Sequence, residues 1–459
     1  MVERLTRLDA SFLYLEEPDT PMHVGGVLIL ERPPGGVDAL AALVAARLPL
    51  VPRYRQRVVE VPGHLANPVW VDDTEFDIAY HVRRSGLPRP GTEAQLLDLV
   101  SRLTSRRLDR TRPLWEAYLV EGLSGNRVAV VTKTHPALVD GLSALDIGQV
   151  LLDVDPEAPT PPAGEWLPRR PPSGVQLVWA ALDEYARRPS AVVDTARDTV
   201  TDVRATAARL TGVVGGLLRS ARKTVIPAPN SPLNASLGRQ RRVAVARADL
   251  GDLKKIRKAH GGTVNDVLLT VVTGALREWL LSRGEPVVVG TSVRALVPVS
   301  MRDEDAAAGN RVSSYLVDLP VGEPNPRVRL TRLSYAMRGI ALHGQSVGAD
   351  SLIALTGFAP PTLHALGARA ARGLSRRLFN LVVTNVPGPQ LPLYAAGSRM
   401  LEVFPVVPLA RGQGLSIGMT SYDGRVFFGL NADREGVGDV DVLADLIEQE
   451  VGELVDRVG

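Results

Sequence analysis

The 459-residue chain contains no cysteine, which removes disulfides, thiolate nucleophiles and cysteine-bound metals together. Lysine is nearly missing too: Lys133, Lys223, Lys254, Lys255 and Lys258 are the only five among 53 basic residues. Positive charge is therefore carried by arginine, but the formal net charge is only +3, which gives no case for nucleic acid as a partner. The seven histidines are scattered singly, without HExxH or paired-ligand spacing, so no metal is expected. No uninterrupted apolar run approaches the roughly 18 residues that a membrane-spanning helix needs. The opening MVERLTRLDASF is charged and lacks the apolar core of a signal peptide. These absences lead to the expectation of a cytoplasmic protein, soluble or held peripherally at the inner membrane face or a lipid droplet.

A chain of this length exceeds one ordinary core, so two domains are expected. The clearest compositional break is DVDPEAPTPPAGEWLPRRPPSG, Asp153 to Gly174, whose seven prolines favour an extended linker or surface crossover. Helical patterns follow over Val175–Arg188 and Ala191–Arg222, separated by Pro189. The second places Val203, Ala207, Leu210, Val214 and Leu217 on one stripe. Arg204, Arg209, Arg219, Arg222 and Lys223 oppose only Asp202 there. Such a basic amphipathic helix suits an anionic membrane surface, or packing across two domains with its arginines solvated. The expected division is 1–152, a 153–236 linker and helical crossover, and 237–459.

Upstream of the linker, MHVGGVLILE and RVAVVTKTH read as strands, VDALAALVAARL and EAQLLDLVSRLTSRRL as amphipathic helices. Downstream, RRVAVARADL, PVVVGTSVRALVPVSMR, FNLVVTNVPGP and GLSIGMTSYDGRVFFGLNAD read as strands, and TVNDVLLTVVTGALREWLLSR as a helix. Asp423-Gly424 between two apolar runs predicts a two-residue hairpin turn. Each half is thus mixed α/β.

Two motifs invite a catalytic reading. GLSIG, Gly414–Gly418, matches the GxSxG nucleophile elbow, but Ser416 lies in a strand leading to a hairpin rather than a strand-to-helix turn, so hydrolase chemistry is set aside. KTHPALVDGLSALDI, Lys133 to Ile147, joins a strand to a helical pattern that Asp140 is placed to cap. A neutral imidazole at such a junction can take a hydroxyl proton and return it to a leaving thiolate, as transfer from a thioester to an alcohol requires. Asp140 would hold the loop, and Gly141 permits close backbone passage. The plain alternative for His135 is a partly buried ring bonded to the backbone.

LDASFLYLE, PMHVGG, FDIAYHVRR, LDRTRPLWE, HPALVDG, PLNASLGRQRR, GGTVNDVLLTVVTGALR, VPVSMR, the Gly309-Asn310 pair, TNVPGP and SIGMTSYDGRVFFGL occur in this order along nearly the whole chain. Together they resemble the bacterial wax ester synthase/diacylglycerol acyltransferase family, within the superfamily of CoA-dependent acyltransferases and peptide-synthetase condensation domains. The resemblance implies an α/β (α+β) protein of two chloramphenicol-acetyltransferase-like domains joined by a helical crossover, with an active-site tunnel at their interface. It implies acyl-CoA as substrate, diacylglycerol or a long-chain alcohol as acceptor, CoA as leaving group, and no bound cofactor.

The family signature is HHxxxDG, whose second His is the general base. Aligned on Asp140-Gly141, its first His falls on His135 and its second on Pro136, which has neither an ionisable group nor an N–H. His135, Asp140 and Gly141 are the expected catalytic set. Pro136, Trp115, Asn265, Asp266, Asn385 and Ser416 are the expected substrate-facing set. Pro113-Leu114-Trp115-Glu116 and Asn385 would shape the acyl tunnel, and Asn265-Asp266 match the family's NDV at a helix start. Capping by Thr263 and Asn265 would explain that last pattern equally well. Arg294 and Arg302 are the expected structural partners of Asp140. Ser416 and Tyr422-Asp423-Gly424 match a strand near the interface. Three outcomes follow: His135 serves as base after local rearrangement; transfer runs without a base, roughly 10²–10⁴ slower; or the fold binds acyl lipids or a partner without chemistry.

Overall fold

A computed structural model describes residues 3–138, 151–159, 166–187, 227–301, 311–343 and 378–458. Its first strands are β1 (Glu3–Arg4), β2 (Val24–Glu31), β3 (Gln56–Val59), β4 (Val69–Asp72), β5 (Val82–Gly86), β6 (Trp115–Leu123) and β7 (Arg127–Thr134). Then come β8 (Arg241–Asp249), β9 (Val293–Met301), β10 (Arg311–Leu319), β11 (Leu381–Pro387), β12 (Tyr394–Ala395), β13 (Ser398–Val406), β14 (Leu415–Tyr422) and β15 (Arg425–Asp433). The helices are α1 (Arg7–Leu15), α2 (Gly36–Arg47), α3 (Ile78–His81), α4 (Glu93–Thr104), α5 (Gly174–Arg187), α6 (Leu250–His260), α7 (Val264–Ser282), α8 (Pro326–His343) and α9 (Val440–Asp456).

Two six-stranded mixed sheets organise the chain, in the orders β12-β13-β2-β7-β6-β5 and β10-β9-β11-β14-β15-β8. In the first, β2, β7 and β6 pair antiparallel and β5 runs parallel to β6 at the edge. β7, RVAVVTKT, is buried beyond its first residue, as its β-branched run predicts for a strand covered on both faces. Leu40 and Leu43 of α2 and Leu96 and Val100 of α4 close the core against this sheet. Leu177 and Ala181 of α5 pack on Val69 and Val71 of the small sheet β1-β4-β3. The second core gathers around α7, whose Val267, Val271, Val272, Ala275, Leu276 and Trp279 are fully buried.

Strands β12 and β13 come from the 237–459 stretch, yet β13 pairs antiparallel with β2, Val403 opposite Leu28, and completes the N-terminal sheet. It packs back against its own half: Phe404 meets Phe427 edge to face at 5.3 Å. Gly429 is required here, because a Cβ on it would lie 1.8 Å from the Pro405 carbonyl oxygen. Arg247 of β8 ties the junction further, donating to Glu402 of β13 at 2.7 and 2.8 Å and to Glu93 of α4.

The hairpin forms as expected, with Asp423 at φ 45° and Gly424 at φ 81°. Two expectations are corrected. Over PVVVGTSVRALVPVSMR the strand starts only at Val293. Residues 286–292 form a turn in which Val288 N–H donates to Thr291 Oγ1 and Thr291 N–H to the Val288 carbonyl, leaving Val288 and Val289 exposed. The helix expected over EAQLLDLVSRLTSRRL stops at Thr104, where the Thr104 and Ser105 hydroxyls bond carbonyls one turn back. The helical pattern over Ala191–Arg222, its basic face, and the pattern following Asp140 lie outside the described residues. Among the described residues no helix is long and apolar enough to cross a membrane.

Candidate active site

Strand alternation puts Lys133 and His135 on the same face at the end of β7. On one side β6 sets Glu116 opposite Lys133, and His135 N–H donates to the Leu114 carbonyl at 2.9 Å. On the other side β2 sets Gly25 opposite Lys133 and Val24 opposite Thr134. That register, continued by one residue, places His23 beside His135.

Lys133 is buried, with Nζ donating to the Arg106 carbonyl at 2.8 Å and to Glu116 Oε2 at 3.2 Å. Burial pulls its pKa down, and Glu116 opposes the shift. The same carboxylate accepts from the Tyr118 hydroxyl at 2.8 Å, and burial followed by the Glu116 charge drives that phenol upward. A buried lysine with a single carboxylate partner holds the strand end at fixed register, because freeing either charge costs several kcal/mol, on the order of 3–5.

His135 is 1% exposed. Its Nδ1 accepts a hydrogen bond from Ala137 N–H at 3.1 Å, and its carbonyl accepts from Leu138 N–H at 2.9 Å across the 3-10 turn Pro136–Leu138. Pro136 has no N–H, so Ala137 supplies the first amide of this turn, and that amide goes to the preceding ring. Burial, assisted by the Arg110 charge, lowers the ring's pKa to about 3. The ring is therefore neutral near pH 7, and with Nδ1 accepting, its proton sits on Nε2. Among the described residues Nε2 has no hydrogen-bond partner. In this arrangement His135 presents a donor, not a lone pair. For His135 to serve as base, the ring would have to rearrange so that a nitrogen lone pair is released from the Ala137 N–H.

His23 shows the opposite polarity. It is buried, with the Thr104 backbone close enough to act on its ring, and among the described residues its Nδ1 has no hydrogen-bond partner. With the ring neutral and its proton on Nε2, Nδ1 offers a lone pair. Burial first, then Lys133, His135 and Arg241, hold its pKa well below the usual imidazole range. One face thus carries two ring nitrogens, His135 Nε2 and His23 Nδ1, without hydrogen-bond partners among the described residues.

Trp115 is in the core, not on a substrate wall. It is 1% exposed, its Nε1 donates to the Tyr54 carbonyl at 2.8 Å, and it stacks on His81 at 4.7 Å. Asp266 is also committed to structure, forming a capping box with Thr263 at the start of α7. Asn265 does not cap: its Oδ1 accepts from Asn385 Nδ2 at 3.1 Å, so these two expected residues do meet. Ser416 is fully buried and donates to the Val407 carbonyl at 2.7 Å, which makes it a strand residue without a nucleophile's exposure. Arg294, expected to serve Asp140, pairs with Asp318 on the neighbouring strand at 2.6 Å. Asp140, Gly141 and Arg302 lie outside the described residues. Among the described residues no hydrogen bond links the Asn265–Asn385 pair to His135.

Neither Lys133 nor His23 stands out in the sequence as a functional residue. The signal for each was a titratable residue in phase with the buried positions of an apolar strand, Lys133 in VVTKTH and His23 opening HVGGVLIL.

Residues 5–268 match the model of the wax ester synthase/diacylglycerol acyltransferase catalytic domain, and residues 308–455 that of the WS/DGAT C-terminal domain. A probable diacylglycerol O-acyltransferase of Mycobacterium tuberculosis, tgs1, is 35% identical over 99% of this chain and 96% of its own length. Another, tgs3, is 47% identical over 57% of this chain and 97% of its own. The wax ester synthase/diacylglycerol acyltransferase from Marinobacter aquaeolei VT8 superposes with a TM-score of 0.70 at 28% identity, covering 99% of this chain and 100% of that one. The first condensation domain of the calcium-dependent antibiotic synthetase shares the fold at a TM-score of 0.59 and 16% identity, covering 100% and 96%. With two family models covering both halves and full-length relatives above the level at which fold and family coincide, the chain belongs to the wax ester synthase/diacylglycerol acyltransferase family.

Proposed function

We propose that this protein transfers a long-chain acyl group from acyl-CoA to the hydroxyl of diacylglycerol or a long-chain alcohol, at the sheet face carrying His135 and His23. The observation that carries the reading is the pair of ring nitrogens, His135 Nε2 and His23 Nδ1, that have no partner among the described residues at the strand end where the family signature falls. The acceptor hydroxyl gives its proton to His23 Nδ1 while its oxygen attacks the thioester carbon. The His135 Nε2–H donates to the oxygen on which negative charge develops. As the tetrahedral carbon collapses, the C–S bond breaks and the proton passes to the departing CoA thiolate, giving ester and free CoA. With its pKa held low by burial, His23 is a weak base, so transfer is slow beside a site with an ordinary imidazole. Acceptor entry from a membrane or lipid-droplet surface belongs to the same reading.

The test is ester formation from palmitoyl-CoA with diolein or hexadecanol by the wild type and by His23→Gln, His135→Asn and Pro136→His. Turnover falls in the first two, and Pro136→His, which restores a base, raises it by up to about 10²–10⁴. Undiminished turnover in folded His23→Gln would remove that ring from the reaction. Ester formed by Pro136→His but not by the wild type would favour the second reading, an acyl-lipid-binding protein with a retired site, which the proline at position 136 motivates.

A further inference from the structure

A cavity of about 550 Å³ opens beside the β5 and β6 end of the catalytic face, outside the residues assigned to proton transfer. Tyr80, Arg83, Arg106, Arg107, Arg110 and Tyr118 are among its walls. Four arginines line it against two carboxylates, Asp109 and Glu116, so its charge is positive before any neighbour is counted. Glu116 adds little negative field, because it is already engaged by Lys133 at 3.2 Å, Arg83 at 3.5 Å and the Tyr118 hydroxyl at 2.8 Å. Asp109 is occupied by Thr111, accepting from its backbone N–H at 2.9 Å and its hydroxyl at 2.7 Å.

Two of the four arginines have structural work. Arg110 holds Glu16 at 2.8 and 3.0 Å, and Arg83 donates to the Tyr80 carbonyl at 2.6 Å and lies 4.4 Å over that ring. The guanidinium groups of Arg106 and Arg107 are exposed and have no hydrogen bond or ion pair among the described residues. Two adjacent cations without counter-charge, on a concave wall of this size, form a receptor for a multiply charged anion. The forked guanidinium matches phosphate oxygens two at a time. The volume falls in the range of ligand sites, roughly 300–1,000 Å³, and exceeds what a single inorganic ion would fill.

The position narrows the ligand. Glu116 and Tyr118 in the wall lie on the β6 face that continues onto Lys133 and His135 of β7, one inter-strand spacing of roughly 5 Å away. Arg110 is close enough to His135 for its charge to act on that ring. An anion held here would lie beside the sheet face that also carries the two histidines. We propose that this cavity receives the phosphorylated end of the CoA thioester, with Arg106 and Arg107 as its phosphate contacts. The proposal rests on the acyl-CoA reading above; a phosphate-bearing lipid headgroup offers the same chemistry from another source.

The experiment is calorimetric titration of the full chain with free CoA, which requires no turnover. The double variant Arg106→Gln/Arg107→Gln should bind CoA at least tenfold more weakly than the wild type. Arg106→Lys/Arg107→Lys should recover part of the loss, which a folding defect would not allow. Pantetheine, which has no phosphate, should not distinguish the proteins. Equal CoA affinity in wild type and the glutamine variant overturns the proposal. So does a glutamine variant that keeps CoA binding but no longer sediments with phosphatidylglycerol vesicles, since the arginines would then serve a lipid surface. Weakened CoA binding in a protein that forms no ester would leave the cavity assigned and remove the catalytic reading. Ester formation with unaltered CoA binding would do the reverse.

Discussion

Replacing His135 by Asn tests whether the ring is held neutral in the folded protein. The Asn side-chain oxygen can accept the Ala137 N–H much as Nδ1 does, so the turn keeps its bond while the titrating group is lost. In the folded state the ring's pKa is about 3, against 6.5 when it is exposed to water. Between those values the unfolded chain binds a proton that the folded chain refuses. The ring's contribution is therefore intact above about pH 6.5 and is lost progressively as pH falls toward 3. At 1.36 kcal/mol per pH unit, moving from pH 7.5 to 5 costs the wild type about 2 kcal/mol through this ring alone. Urea unfolding at pH 7.5, 6 and 5 measures it as the difference in stability made by His135→Asn in a His23→Gln background, because the pKa of His23 itself depends on the His135 charge. The gap should change by about 2 kcal/mol across that range in favour of the variant at low pH. Parallel stability curves for the two proteins would mean that the ring is solvated or protonated when folded. The donor assignment of Nε2 would then fail with it.

Trp115→Phe removes the N–H that satisfies the Tyr54 carbonyl and opens space beside His81, so stability should drop by about 2–4 kcal/mol in urea melts while KM for acyl-CoA stays within twofold. A raised KM without a stability change would restore Trp115 to the substrate wall. Arg247→Met leaves Glu93 and Glu402 facing each other, at a cost of about 1–3 kcal/mol because the site is partly exposed. The deficit should shrink between 0.05 and 0.5 M NaCl as the repulsion is screened. Gly274→Ala would put a methyl group 2.2–2.4 Å from the Glu450 carboxyl, whose pKa burial raises to about 7 despite Arg329. Thermal melting should show net destabilisation even though Ala gains up to about 1 kcal/mol of helix propensity.

The elements that carry the site were legible because their local signals agreed. β2 and β7 are apolar runs rich in β-branched residues, β8 carries Val243 and Val245 within RRVAVARAD, and α7 combines a cap with an unbroken helical stripe. PVVVG misled because apolar β-formers also occur in turns, where the Thr291 hydroxyl and a positive φ at Gly290 decide the backbone. Side-chain roles were less legible. Trp115 and Asp266 were placed near substrate by resemblance, but burial against Tyr54 and pairing with Thr263 are tertiary facts that no spacing encodes. The polarity of the two histidines was least visible. It depends on which backbone group reaches which ring nitrogen, and the sequence supplies only Pro136, the residue that removes one of the possible donors.

Because β13 is hydrogen-bonded to β2 while Phe404 is packed on Phe427, the two sheets are buttoned together by one strand. A hinge that parted the halves widely would have to strip that strand from one sheet or the other. Large clamshell opening is thereby closed off as a way for long acyl chains to enter. Passage of substrates and products falls instead to the loops and side chains at the sheet ends, so mutations that govern turnover should cluster there and not along the β13 seam.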